Sequence, residues 1–142
     1  MQITRTATTP APLERVFAYL ADFTTTTQWD PGTVATTRLA GDGGVGTRYR
    51  NVSRFLGREV SLEYFVTALE PDGLVRLRGE NASVVAEDEL TFERVGDLTA
   101  VTYRASLQPK GWRVVAAPLV ALAFRRLADD AEQSLRTVLG TL

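Results

Sequence analysis

Asp88 is the residue on which chemistry is most readily built. It lies in an alternating run, Val84 to Arg94, on the same parity as Ala86, Leu90 and Phe92. Residues two apart in a strand share a face, so this run puts one acid among apolar side chains. Desolvation raises the pKa of such a carboxyl toward the range useful for general acid–base work, and the group can also anchor a ligand carbonyl or hydroxyl. The same parity rule brings Tyr49, Asn51, Tyr64 and Tyr103 to the apolar faces of neighbouring runs. We take Asp88 and Tyr103 as candidate catalytic residues. Trp29, Tyr49, Asn51, Tyr64, Leu90, Phe92, Trp112 and Leu119 are candidate ligand contacts. Two plainer readings stand beside these. A register slip of one residue would turn Asp88 outward, or Asp88 would make only a structural bond to a tyrosine, and a buried tyrosine more often satisfies its hydroxyl on backbone or at the surface than on a ligand.

Several chemistries are excluded by composition. The chain has neither Cys nor His, which removes disulfides, thiolate nucleophiles, the usual zinc sites and a histidine base. No metal site can be assembled from its carboxylates, and no cofactor is expected. Gly41-x-Gly43-x-x-Gly46 has the spacing of a dinucleotide fingerprint, but a strand follows it where that motif needs a helix N-terminus. It reads as a hairpin loop. The net charge of −1 offers no field for nucleic acid, and Arg48, Arg50 and Arg54 read as a solvated sheet face. Val114 to Phe124, the longest apolar run, is too short to span a bilayer. With no export signal at the N-terminus, a cytoplasmic location is the default expectation.

The elements that must position these residues follow from periodicity. At 142 residues the chain is expected to form one domain, residues 1–142. Gln2 to Thr8 reads as a first strand. Thr9 is placed to cap a helix whose apolar stripe is Leu13, Val16, Phe17 and Leu20, with Pro10 and Pro12 in its entry. Asp22 is placed to cap a short second helix, Phe23 to Gln28, which Trp29-Asp30-Pro31-Gly32 stops. Strands are then predicted at Val34–Leu39, Gly46–Phe55, Glu59–Leu69, Leu74–Glu80, Val84–Arg94 and Thr99–Gln108, with Gly-, Asp- and Asn-bearing turns between them. Such short links make consecutive strands antiparallel. Trp112 to Leu142 has helical spacing, its stripe being Val120, Phe124, Leu127, Ala131, Leu135 and Val138. Pro118 predicts a kink or a late start.

Read in order, these segments resemble the START-like helix-grip superfamily, also called SRPBCC, in its polyketide cyclase/dehydrase and lipid-transport group. Ala11-Pro12-Leu13-Glu14-Arg15-Val16-Phe17 resembles that family's proline-led first helix. Ala21-Asp22-Phe23 through Trp29-Asp30-Pro31 resembles its second helix and the Trp-x-Pro after it. Gly44-Val45-Gly46-Thr47 resembles the start of its third strand, and Leu90-Thr91-Phe92-Glu93 with Thr99-Ala100-Val101-Thr102-Tyr103 its last hairpin. The resemblance implies an α+β helix-grip fold: a curved antiparallel sheet of about seven strands around a long C-terminal helix, with two short helices after the first strand. It further implies an apolar cavity between sheet and helix that takes a lipid, isoprenoid or polyketide-like molecule.

Three functions follow as expectations. The first is binding of a hydrophobic small molecule. The second is catalysis as a polyketide aromatase/cyclase or dehydratase, with Asp88 and a tyrosine moving protons. The third is a homodimeric interaction module in which Val114 to Phe124 covers a second copy. No nucleic acid and no integral membrane segment are expected.

Overall fold

A computed structural model describes residues 1–111 and 117–142 of the chain. Seven antiparallel strands form one open sheet: β1 (Gln2–Thr9), β2 (Thr33–Ala40), β3 (Arg48–Phe55), β4 (Arg58–Glu70), β5 (Leu74–Glu80), β6 (Val84–Val95) and β7 (Leu98–Pro109). Their spatial order is β1-β7-β6-β5-β4-β3-β2. Every sequential pair from β2 onward is a hairpin, and β1 closes the far edge against β7. Helices α1 (Leu13–Ala21) and α2 (Thr26–Trp29) lie between β1 and β2, with a 3-10 turn (Phe23–Thr25) between them, and α3 (Ala117–Leu139) ends the chain. The fold is the expected α+β helix grip, and each predicted strand is present to within two residues.

On β3 to β7 the inner face is the predicted one. Leu62, Tyr64 and Val66, then Val75 and Leu77, then Ala86, Asp88, Leu90 and Phe92 are all buried. The outer face carries cross-strand ion pairs such as Arg48–Glu63 at 3.5 Å and Arg76–Glu89 at 2.6 Å. Gly41, Gly43 and Gly46 sit in the β2–β3 loop with positive φ, as a hairpin reading requires. Gly41 is fixed further by close approach: a Cβ there would lie 2.6 Å from Thr47 Oγ1.

One local reading needs correction, and another is borne out in its irregularity. Thr9 does not cap α1, whose first residue follows Pro12 without a side-chain cap. Pro10 and Pro12 hold the entry extended, because the residue before a proline is pushed out of the helical region. Thr9 Oγ1 instead donates to Leu139 O at 2.9 Å and accepts from Ala11 N at 3.2 Å, so it ties the first strand to the end of α3. The helix predicted from Phe23 to Gln28 is split into the 3-10 turn and α2, since four consecutive threonines are poor helix formers. Asp22 does cap this region, accepting from Thr24 N at 3.1 Å. Pro118 falls within α3 as described; Trp112 and the start of the segment expected to be helical from it lie outside the described residues.

Helix α3 packs unevenly. Its C-terminal half buries Ala128, Ala131, Leu135 and Leu139. Ala128 meets Ile3 and Ala105, while Leu135 and Leu139 join the main core. Arg5 of β1 reaches Asp129 at 2.8 Å. Toward its N-terminus the helix exposes Leu119 and Leu122 and turns Val120, Phe124 and Leu127 toward the sheet. Leu127 rests on Gly32, where a Cβ would come within 2.7 Å of Leu127 Cδ1. The isosteric change Thr9→Val should strand the buried groups that Thr9 serves and lower stability by about 1–3 kcal/mol. The expected reading is a lower urea midpoint with an unchanged slope.

Candidate functional site

Between the N-terminal half of α3 and the inner face of the sheet is a cavity of 510 Å³. Strand register gives its depth. On β6, Val84, Ala86 and Asp88 line it, while Leu90 and Phe92, two and four residues further on, lie in packed core. There Phe17 of α1 meets Phe92 edge-on, with ring centroids 5.1 Å apart. At the other end the rim is the β3–β4 hairpin, with Phe55, Leu56 and the exposed Arg58. One close approach shapes the sheet wall. Gly79 pairs with Tyr64 on one side and with Ala86 on the other. A Cβ on Gly79 would sit 2.6 Å from the Tyr64 ring, so only glycine lets that ring lie down across β5.

The polar groups gather at the inner end. Asp88 is buried, and its Oδ1 accepts the Tyr103 hydroxyl at 2.8 Å. Burial is the main cause that raises its pKa from 3.8 to about 6; the Tyr103 and Tyr64 hydroxyls oppose the rise and the charge of Asp30 adds to it. Burial and the neighbouring Asp88 hold the Tyr64 and Tyr103 hydroxyls protonated far past neutrality. Asp30, just past α2, is the second acid of the wall. Burial raises it as well, against hydrogen bonds from Thr33 Oγ1 at 2.9 Å and Gly32 N at 3.0 Å. Trp29 Nε1 is buried without a partner, although the indole meets the Tyr103 ring edge-on at 5.6 Å.

Of the residues singled out in the sequence, Trp29, Asn51, Tyr64, Asp88 and Tyr103 share this cavity wall. Asn51 spends its amide nitrogen on Thr36 Oγ1 at 2.9 Å and Thr33 Oγ1 at 3.2 Å, which pins the edge strand β2. Tyr49, Leu90 and Phe92 are on the inner face but not on the wall. They fill the closed end, with Phe23 covering Tyr49 at 5.6 Å. Leu119 is 63% exposed on the outer side of α3 and contacts a shallow surface groove instead. Asp30 and Gly79 were not anticipated. Asp30 was legible only as a helix stop, although its place beside Trp29 in Trp29-Asp30-Pro31 was a usable signal. Among the described residues no three His, Cys, Asp or Glu side chains are grouped to hold a metal, and no helix is long and apolar enough to cross a membrane.

The raised pKa of Asp88 has a stability consequence of definite sign. The folded state binds this proton more tightly than the unfolded chain, so the stabilisation is complete below the ordinary value of 3.8 and is lost as pH rises through about 6. A shift of this size is worth roughly 3 kcal/mol. Asp88→Asn should remove that pH dependence and leave the protein more stable than wild type at pH 8, by about 1–3 kcal/mol. Urea titrations at pH 4 to 8 check both points.

The chain is similar to known proteins along its whole length. A sequence-family model described as polyketide cyclase/dehydrase and lipid transport matches residues 1–140. No curated protein matches the chain significantly. An aromatase/cyclase from a Streptomyces species superposes with a TM-score of 0.83 at 14% identity, covering 98% of this chain and 93% of that one. A Thermus thermophilus protein gives 0.81 at 17% identity, with 98% and 97% covered. A START superfamily protein from Mycobacterium smegmatis gives 0.80 at 15% identity, with 97% and 96% covered. At such identities the superpositions speak for the fold alone. The sequence-family match decides membership: this chain belongs to the polyketide cyclase/dehydrase and lipid transport family.

Proposed function

We propose that the protein binds a hydrophobic small molecule, lipid, isoprenoid or polyketide-like, in the cavity between sheet and α3. The observation that carries this reading is the hollow itself, 510 Å³ with a largely apolar wall and a few convergent polar groups at one end. That is the common form of a small-molecule site. A filled core would leave only voids smaller than a side chain, so a space of this size is itself an argument for an occupant.

A second reading, catalysis, is favoured by one specific observation: the Asp88 pKa of about 6 beside two protonated tyrosines. An acid poised near neutrality can take a proton from the carbon next to a ketone and return it later. The enolate formed would add to a second carbonyl of the same folded chain. A tyrosine would protonate the new alkoxide, and Asp88 would pass its proton back to that tyrosine. This is the aldol closure of a cyclase, and the cavity would supply the fold of the substrate.

The two readings separate experimentally. Native mass spectrometry of protein from its own host should show a co-purifying apolar molecule. Ala86→Phe, which pushes a ring into the hollow, should weaken binding of the neutral dye Nile red at least tenfold, by the logic of filled cores, while circular dichroism stays unchanged. Dye binding that survives Ala86→Phe intact would remove the cavity as the site. If the protein cyclises a polyketide, Asp88→Asn should abolish turnover and keep dye binding; full turnover in that variant ends the proton-transfer reading.

A further inference from the structure

We infer that the cavity discriminates by charge: it takes a neutral apolar molecule bearing a hydroxyl or carbonyl oxygen and refuses the corresponding carboxylate. This rests on the container reading above and narrows the ligand class within it.

The inner end of the hollow presents two carboxyl groups, Asp88 and Asp30, and two tyrosine hydroxyls, Tyr64 and Tyr103. Among the described residues it holds no basic side chain. Among the described residues that line the cavity Arg58 is the only cation, and it stands exposed on the hairpin at the rim. An anionic head at the inner end would therefore meet two acids in water-poor surroundings with nothing to neutralise it, and like charges brought together there disfavour the ionised form. The reverse orientation, head at Arg58 and tail inward, also fails to compensate. It lays hydrocarbon over Asp88 and the tyrosines and takes away whatever water solvates them, and polar groups covered without new partners are costly.

A neutral oxygen suits the same end. A ligand hydroxyl can donate to Asp88, whose Oδ1 takes the Tyr103 hydroxyl at 2.8 Å and whose carboxyl keeps acceptor lone pairs beyond those the two tyrosines engage. The lone pairs of that ligand hydroxyl, or those of a ketone, can accept from the Trp29 indole N–H, since the Tyr103 hydroxyl already donates its one proton to Asp88. Trp29 adds an independent demand. Its Nε1 is the one buried side-chain polar atom without a partner among the described residues, and the indole forms part of this wall. A lone N–H donor calls for an acceptor and is indifferent to a hydrocarbon, while the acids nearby decide that the acceptor should carry no charge. Sites that must pair a buried polar group discriminate strongly against ligands lacking the partner.

The experiment uses Nile red held by the full-length protein at pH 8, displaced by dodecan-1-ol or by dodecanoate, two ligands that differ at the head alone. Dodecanol should displace the dye at concentrations lower by roughly tenfold to a hundredfold, the range expected for one repulsive contact in a low-dielectric site. Part of any such ratio reflects the greater water solubility of the anion. The decisive reading is therefore its shrinkage, severalfold, in Asp88→Asn or Asp30→Asn, with folding checked by circular dichroism. Equal displacement by both ligands in the wild type overturns the charge rule and leaves the container standing, as does a ratio unchanged in both variants. Loss of dye binding together with failure of both ligands to bind overturns the container, and the charge rule with it.

Discussion

The constraint on which the rest depends is how α3 is held. Its C-terminal half is clamped to the β1 edge through alanines, Ala128 and Ala131, which let helix and sheet approach closely. Arg5–Asp129 and the Thr9–Leu139 bond fix the register of that contact. Four and eight residues before Ala128 the inward side chains are the larger Phe124 and Val120, which face Ala86, Tyr64 and Tyr103 across the hollow. A rigid helix cannot follow both surfaces. It closes at one end and stands off at the other, where Leu127 seated on Gly32 sets its distance. The hollow is thus bounded by small helix residues clamped on the β1 edge at one end and larger ones facing the sheet at the other, and the aromatic packing of Phe17, Phe23, Tyr49 and Phe92 seals its inner end.

Into that hollow the chain places a group that works against folding. A buried carboxyl with a raised pKa lowers stability at neutral pH, and an amide of the same shape would accept the Tyr103 hydroxyl equally well. Asp88 therefore has no stability rationale at neutral pH, whereas as a group that exchanges protons or grips a ligand it has one. Residues whose environments push their pKa values toward neutrality in a cleft are the usual candidates for such roles.

Much of this was legible in the sequence, for a definable reason. A period of two fixes which side of a strand faces the core, so the inner parity, Asp88 and Tyr103 included, could be read directly. The same period says nothing about depth along the strand. Leu90 and Phe92 share the face of Asp88 but lie beyond the cavity, and Tyr49 lies under Phe23, because α1 and the turn after it cover that end. Leu119 was ambiguous for another reason: a helical segment apolar nearly all round has no periodic signal to say which residues turn inward. Asp30 was invisible as a site residue because only the return of α2 across the sheet brings it beside Asp88. Whether the interior was full or hollow was equally out of reach, since an apolar pattern specifies burial and not volume.

The two acids of the cavity are not equivalent, and their hydrogen bonds say which can act. Both oxygens of Asp30 are engaged by groups of its own turn, Oδ1 by Gly32 N and Oδ2 by Thr33 Oγ1. That pattern matches an ionised carboxylate, whose oxygens only accept, held in place by its own loop. Asp88 accepts one bond, at Oδ1, from a tyrosine that the neighbouring strand carries. Its other neighbour is the Tyr64 hydroxyl, also carried by a strand across the hollow, so no group of its own turn claims it and it can meet a ligand proton. Asp30 is in this sense a fixed charge that helps hold the proton of Asp88 near neutrality, and Asp88 is the group that can exchange it. The division of labour follows from where the two sit: one in a turn that solvates its own acid, the other in mid-strand, where the backbone amides belong to the sheet and leave the side chain to find partners across the hollow.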